Sequence, residues 1–316
     1  MSLSMNERAG ELVDALVADA EALGIEVRSL ESGARVVDCG AKAPGGLQAG
    51  LGFAAACMGG LGRIDPVGVA VGERTWPGVA VAVDQPATAC LASQYAGWKL
   101  EHGDFFSLAS GPGRALARVE DLFDELAWQE QADRVVLCLE TQQTPPPEIV
   151  DKVAQRCGVQ PPAITFLIAR TASICGSVQI SARVVETALH KLHELGVDPA
   201  RVRSGWGCCP IAPVAKNDPA AIGRTNDAVL YGGTVHLWIE GADEEVADLA
   251  VRLPSSASDA FGTPFGELLA AADWNFYDID PLLFSPAAVT LTSTESGRVH
   301  HGGMLAPEVL ERSFEQ

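Results

Sequence analysis

Arg134-Val135-Val136-Leu137-Cys138-Leu139 and Ala163-Ile164-Thr165-Phe166-Leu167-Ile168-Ala169 are apolar runs with the length and β-branched content of buried strands. Between them, Pro147-Glu148-Ile149-Val150-Asp151-Lys152-Val153-Ala154-Gln155-Arg156-Cys157 has the apolar spacing of a helix. Strand, helix and strand in succession predict a mixed α/β chain, of the α+β class, and the alternation continues in both directions.

Towards the N-terminus, residues 5–24 repeat apolar positions at helical spacing and end at Gly24, a C-cap. Residues 25–39 alternate like a strand, 40–50 form a glycine-rich connection, and 49–58 read as a short buried helix closed by Gly59-Gly60. Residues 67–71 and 79–83 are strand runs split by a Pro77-Gly78 turn; 87–98 read as a buried helix and 115–128 as an acidic amphipathic one. Beyond the central runs, 181–195 is the clearest helix, followed by strand signals at 228–230, 234–239 and 288–292.

Val36-Val37-Asp38-Cys39-Gly40 leads through a loop and an apolar helix to Gly62-Arg63-Ile64-Asp65-Pro66. Ala172-Ser173-Ile174-Cys175-Gly176 leads likewise to Gly196-Val197-Asp198-Pro199. A match this short also arises by chance. As a duplicated strand–helix unit it predicts two related lobes, roughly 1–165 and 166–316 or interleaved in sequence, with the active-site pocket between them.

The 316 residues carry 41 acidic and 22 basic side chains, a net charge of −19, yet 47% are apolar and only 20% charged. That apolar share supplies a core and excludes a disordered acidic tail. A surface this negative repels phosphate backbones and anionic lipids, so neither nucleic acid nor a membrane is an expected partner. No apolar stretch has the roughly 18 residues of a membrane span. Glu7, Glu11 and Asp14 argue against a signal peptide. The eight cysteines form no Cys-x-x-Cys pair, lie mostly in apolar runs, and read as reduced small hydrophobes. The expectation is a cytoplasmic protein.

Three stretches could carry chemistry. On the 181–195 helix, Arg183, Glu186, His190 and His193 fall in one stripe beside the apolar face of Val185, Leu189 and Leu192. Arg183 and Glu186, at i and i+3, can touch. By spacing alone they read as an ordinary ion pair on a solvated face. The sharper reading is a carboxylate held by a guanidinium in a cleft wall, ready to take a proton from water, with Ser181 as N-cap. The second stretch, 210–233, packs Lys216, Asn217, Asp218, Arg224, Thr225, Asn226 and Asp227 between apolar residues. It reads either as a turn-rich loop satisfying its own backbone or as a binding loop for a ligand with amide-like edges, such as a pterin. The third, Ser107-Leu108-Ala109-Ser110-Gly111-Pro112-Gly113-Arg114, is a glycine-rich turn that either starts a helix or cradles an anion. Adjacent Cys208-Cys209 cannot easily share a zinc ion, and neither His236 nor His300-His301 stands at ligand spacing, so no metal is expected.

Taken together, Ala92-Ser93-Gln94-Tyr95-Ala96-Gly97-Trp98, Ser181-Ala182-Arg183-Val184-Val185-Glu186, the segment 216–233, and Phe276-Tyr277-Asp278-Ile279-Asp280-Pro281 with Phe284-Ser285-Pro286 resemble the methenyltetrahydromethanopterin cyclohydrolase family of methanogenic archaea and methylotrophic bacteria. The resemblance runs over nearly the whole chain. It implies hydrolysis of a cationic 5,10-methenyl bridge to the 5-formyl compound, in one-carbon metabolism such as formaldehyde oxidation. It further implies a two-lobed subunit, a homotrimer, and no metal or prosthetic cofactor. Glu186 would activate water and Arg183 would orient it and keep it ionised. Tyr95, Arg114, Lys216, Arg224, Thr225 and Asn226 would contact the pterin coenzyme. The alternatives are an amidohydrolase for another cyclic amidine, such as a tetrahydrofolate derivative, and a reduced-pterin binding protein without turnover.

Overall fold

The computed structural model describes residues 3–126, 128–275 and 278–315. In chain order the strands are β1 (Glu26–Ser29), β2 (Arg35–Gly40), β3 (Gly62–Val71), β4 (Arg74–Val83), β5 (Trp98–His102), β6 (Phe105–Ser110), β7 (Val135–Glu140), β8 (Ile164–Ala169), β9 (Val202–Pro210), β10 (Thr234–Ile239), β11 (Ala288–Ser293) and β12 (Val299–Gly303). The α-helices are α1 (Met5–Ala18), α2 (Ala20–Leu23), α3 (Leu47–Cys57), α4 (Gly113–Ala117), α5 (Leu122–Glu125), α6 (Pro147–Cys157), α7 (Ile174–Ser181), α8 (Val184–Glu194), α9 (Asp218–Gly232), α10 (Asp243–Arg252), α11 (Phe265–Ala271) and α12 (Pro307–Phe314). This is an α+β fold with two mixed sheets. The chain divides into two compact units, Met1–Gly62 with Thr88–Gln179, and Arg63–Ala87 with Ile180–Gln316. The boundary expected at 165 therefore falls inside β8.

In the first unit the strand order is β1-β2-β8-β7-β6-β5, with β2, β8 and β7 mutually parallel. Val36, Leu137, Leu139, Phe166 and Ile168 share a cluster with Ile149, Val150 and Val153 of α6. Val37, Val136, Cys138 and Leu167 point the other way, into a cluster with Val13 and Leu16 of α1 and Phe53 of α3. A sheet covered on both faces has no polar side, which is why its central strands read as unbroken apolar runs. Cys39, Cys57, Cys138 and Cys175 fill the second cluster as small hydrophobes, and all eight cysteines are free thiols.

In the second unit the order is β12-β11-β10-β9-β4-β3, with β10 and β11 parallel. Helix α8 packs on β9 and β10, and α9 packs against α11 and α12.

Several expectations need correction. The two segments proposed as a duplication differ: residues 36–40 lie on β2, whereas 172–176 are a bend and the first turn of α7. The Pro77-Gly78 pair lies within β4; the chain reverses at Gly72, where φ is 62° and a glycine is favoured. Residues 25–39 are a hairpin of β1 and β2, not one strand. Residues 115–128 do not make one helix, because Arg118 sits at φ 43° between α4 and α5. Residues 87–94 wind as a π-helix, with Tyr95 N–H donating to Cys90 C=O at 2.7 Å, and the strand β5 follows. Residues 228–230 lie inside α9, since Asn217 accepts from Ala220 N–H at 3.0 Å and starts a 15-residue helix where a loop was expected.

Candidate active site

The helix expected over 181–195 is two helices. Ser181 ends α7, and its hydroxyl donates to Pro210 C=O at 2.8 Å, so it cannot cap α8. The Arg183 N–H closes a turn on Ile180 C=O at 2.9 Å, and Arg183, at φ −84° and ψ 3°, stands as N-cap of α8. Both the N–H and the hydroxyl of Thr187 donate to Arg183 C=O at 2.8 Å.

Two glycines of β9 set the seat of α8. A Cβ on Gly205 would come within 2.8 Å of Val185 Cγ1, and one on Gly207 within 2.8 Å of Val184 Cγ1. Their hydrogens leave the space that these two fully buried valines fill. Glu186, the next residue, is thereby placed in the first turn of α8 with its position set by backbone packing. It is 6% exposed. Arg183 Nη1 lies 3.7 Å from Glu186 Oε2, and the side chains are 16% and 8% exposed. Exposure this low separates the two readings of the sequence: the pair does not stand on a solvated face. A carboxylate in a first helical turn also faces the positive end of the helix dipole. His190 of the same stripe pairs with Glu194 at 3.7 Å.

Of the expected binding residues, Arg114 needs correction. It is fully buried. Nη1 donates to Leu91 C=O at 3.0 Å and Ser93 C=O at 3.2 Å, Nε donates to Glu120 at 2.9 Å, and Nη2 also pairs with Glu120. Its guanidinium is spent on the protein and pins the end of the π-helix. In the adjoining turn, Gly111 N–H donates to Ser93 C=O at 2.8 Å and so is not available to an anion. Tyr95, half-buried, lies with its ring centroid 5.2 Å from the Arg114 guanidinium carbon. Thr225 is likewise structural: it is 1% exposed and its hydroxyl returns to Ala221 C=O at 2.8 Å. Asn226 donates to Ile222 C=O at 2.8 Å, and Arg224 reaches back to Val214 C=O at 3.4 Å, both from half-buried positions on α9. Lys216 is exposed, ahead of that helix. The structure thus pairs Arg183 with Glu186 and Tyr95 with Arg114, and sets Lys216, Arg224, Thr225 and Asn226 along the entry to α9. Phe276 and Tyr277 of the family-like string lie outside the described residues.

Cys208 and Cys209 are poorly placed as nucleophiles. Burial pushes the Cys208 and Cys209 thiols up, away from the thiolate. His236 lies opposite Trp206, stacks on Trp238 with 4.2 Å between centroids, and meets Thr292 Oγ1 at 2.7 Å. Among the described residues no group of three or more His, Cys, Asp and Glu is arranged to hold a metal ion, and no helix is long and apolar enough to cross a membrane.

One polar cluster escaped the sequence reading. Glu140 ends β7 with an exposed carboxylate, which accepts from the buried Thr171 hydroxyl on Oε1 and from the buried Gln179 Nε2 at 3.2 Å on Oε2. The available signal was an acid closing a wholly apolar strand, at the C-terminal end where ligands gather in parallel sheets.

In this two-sheet α+β chain a carboxylate and a guanidinium are thus buried together at a helix start. Residues 4–314 match the family model described as Cyclohydrolase (MCH). The chain belongs to this family, whose members are hydrolases acting on a cyclic amidine. It is 47% identical over 312 residues to the methenyltetrahydromethanopterin cyclohydrolase of Methylobacillus flagellatus, covering 98% of this chain and 95% of that one. To the protein of the same name from Xanthobacter autotrophicus it is 49% identical over 305 residues, covering 96% and 90%. To that from Methanosarcina mazei it is 38% identical over 315 residues, covering 99% and 98%.

Proposed function

We propose that this chain hydrolyses the 5,10-methenyl bridge of methenyltetrahydromethanopterin to 5-formyltetrahydromethanopterin, reversibly, as a step of one-carbon metabolism. The observation that carries the reading is the burial of Glu186 against Arg183 at the start of α8. The names of the similar proteins supply the substrate.

The chemistry suits a lone carboxylate. The bridging carbon shares the positive charge of an amidinium and is already an electrophile, so the reading calls for no metal and no prosthetic group. Water oxygen bonds to that carbon while Glu186 takes one of its protons. In the resulting tetrahedral adduct the carbon–N10 bond breaks, Glu186 returns its proton to N10, and the remaining hydroxyl proton leaves to solvent as the formyl C=O forms on N5. Arg183 orients the carboxylate, and holding water in line supplies the advantage of proximity. Tyr95, Lys216, Arg224 and Asn226 remain as coenzyme contacts in this reading. Lys216 and Arg224 are suited to an anionic coenzyme tail that the net charge of −19 would otherwise repel.

A homotrimer in the cytoplasm completes the reading. What supports assembly is one sheet face of the second unit. Trp206, His236, Thr290 and His301 lie side by side across β9 to β12, with Trp238, Thr292 and Val299 two positions along. Trp206 is 43% and Trp238 36% exposed, and no carboxylate stands in either row. A face without carboxylates lessens the repulsion between copies this acidic.

The test monitors loss of the methenyl absorbance with methenyltetrahydromethanopterin, beside the tetrahydrofolate analogue, for wild type and Glu186→Gln. Turnover by wild type, with at least about a hundredfold loss in the variant, is expected. Wild-type turnover of the folate compound alone would overturn the substrate. Binding without turnover would overturn the reaction.

A further inference from the structure

We propose that Glu140 is the residue that recognises the 2-amino-4-oxopyrimidine edge of the reduced pterin, through paired hydrogen bonds from the pterin N3–H and 2-amino N–H to its two carboxylate oxygens. The inference rests on the substrate class proposed above and assigns a residue that the catalytic pair does not include.

Three observations carry it. Glu140 closes β7 beside β8, where the parallel strands of the first unit end, and ligands of open α/β sheets bind beyond the carboxyl ends of such strands. Its carboxylate is exposed, yet it is not a free surface acid. Thr171 and Gln179, each only 3% exposed, donate to different oxygens. A carboxylate has about four acceptor sites, so one donor on each oxygen leaves each oxygen a further lone pair. Finally, both donors are neutral, so the charge is not cancelled by a guanidinium. A pre-oriented, uncancelled pair of acceptors matches a ligand edge that presents two parallel N–H donors, as a cyclic guanidine-like pterin edge does.

Orientation by buried side chains is the part that a solubilising surface glutamate would not need. Thr171 follows β8 and Gln179 lies on α7, so two separate elements hold the one carboxylate. Fixing it before the ligand arrives reduces the ordering cost of binding.

The experiment uses the full chain and two fluorescent probes, pterin and lumazine. They differ in that lumazine carries an oxo group in place of the 2-amino group. Hydrogen bonds to a charged acceptor are worth enough to expect wild type to prefer pterin about ten- to hundredfold. Glu140→Gln turns a donor towards a donor and should cut that preference to below about threefold, with a cooperative melting transition showing that the variant is folded. Glu140→Asp withdraws the carboxylate from Thr171 and Gln179 and should lose most of the preference as well. No preference in wild type, or an undiminished one in Glu140→Gln, overturns the proposal. Full preference in Glu140→Asp overturns it too, by reducing the role to charge alone. The reaction is separable from it: a wild type that prefers pterin but fails to hydrolyse the methenyl compound, with the preference lost in Glu140→Gln, would sink the hydrolysis and leave the recognition standing.

Discussion

Asp227 offers a sharp test of the packing in the second unit. It lies on α9, 1% exposed, accepting from Phe265 N–H of α11 at 2.8 Å and from Ser313 Oγ of α12 at 2.5 Å, so one carboxyl group ties three helices. Burial raises it from the ordinary aspartate value of 3.8 to about 7, more than its two hydrogen bonds and Arg312 lower it. The native state therefore holds this proton where the unfolded chain has lost it, and stability falls as pH rises from about 4 to about 7. At 1.36 kcal/mol per tenfold in proton affinity, the full penalty above pH 7 is on the order of 4 kcal/mol. About 3 kcal/mol of it develops between pH 5 and pH 8. Asp227→Asn keeps the acceptor for Phe265 N–H and offers a donor to Ser313 without a charge. Urea unfolding of both proteins from pH 5 to pH 8 should show the variant's relative stability rising by about 3 kcal/mol over that range. Parallel curves within about 1 kcal/mol would refute the reasoning, because an ionised Asp227 would then be tolerated in the core.

Other expectations come from the site. Arg183→Ala should lower turnover far more than melting temperature; the reverse pattern in the two measurements would return the pair to a structural role. Arg114→Leu should cost about 3–5 kcal/mol in chemical unfolding, because Glu120 and two backbone carbonyls lose their buried partner. A raised KM without destabilisation would restore Arg114 as a binding residue. Gly205→Ala should cost about 1–3 kcal/mol through its contact with Val185 and reduce turnover by shifting α8. Adding Val185→Ala should recover part of both, and no recovery would show that the glycine serves another purpose.

Much of the architecture was legible because local pattern and burial agree where a segment is simple. Helix α6 and strands β10 and β8 stand where apolar spacing put them, and Gly24 and Gly59 close helices in the left-handed region. The failures share a cause. The break between α7 and α8 depends on Ser181 finding Pro210 across the unit, and β9 was hidden by Gly205 and Gly207, which serve α8 rather than strand propensity. Arg114 resembled an anion ligand because its burial and its partner Glu120 are properties of the folded chain.

The residues alone determined the class of fold, the absence of any apolar run suited to a membrane, and the placement of Arg183 and Glu186 within reach of each other, since those depend on composition and short-range periodicity. Resemblance added the chemistry. Only tertiary structure decided that Glu186 is buried, that Arg114 and Thr225 serve the protein itself, and that Glu140 is held by Thr171 and Gln179 from two other elements. Burial and long-range hydrogen bonding depend on what the rest of the chain brings alongside a residue, and spacing within one segment carries no record of that.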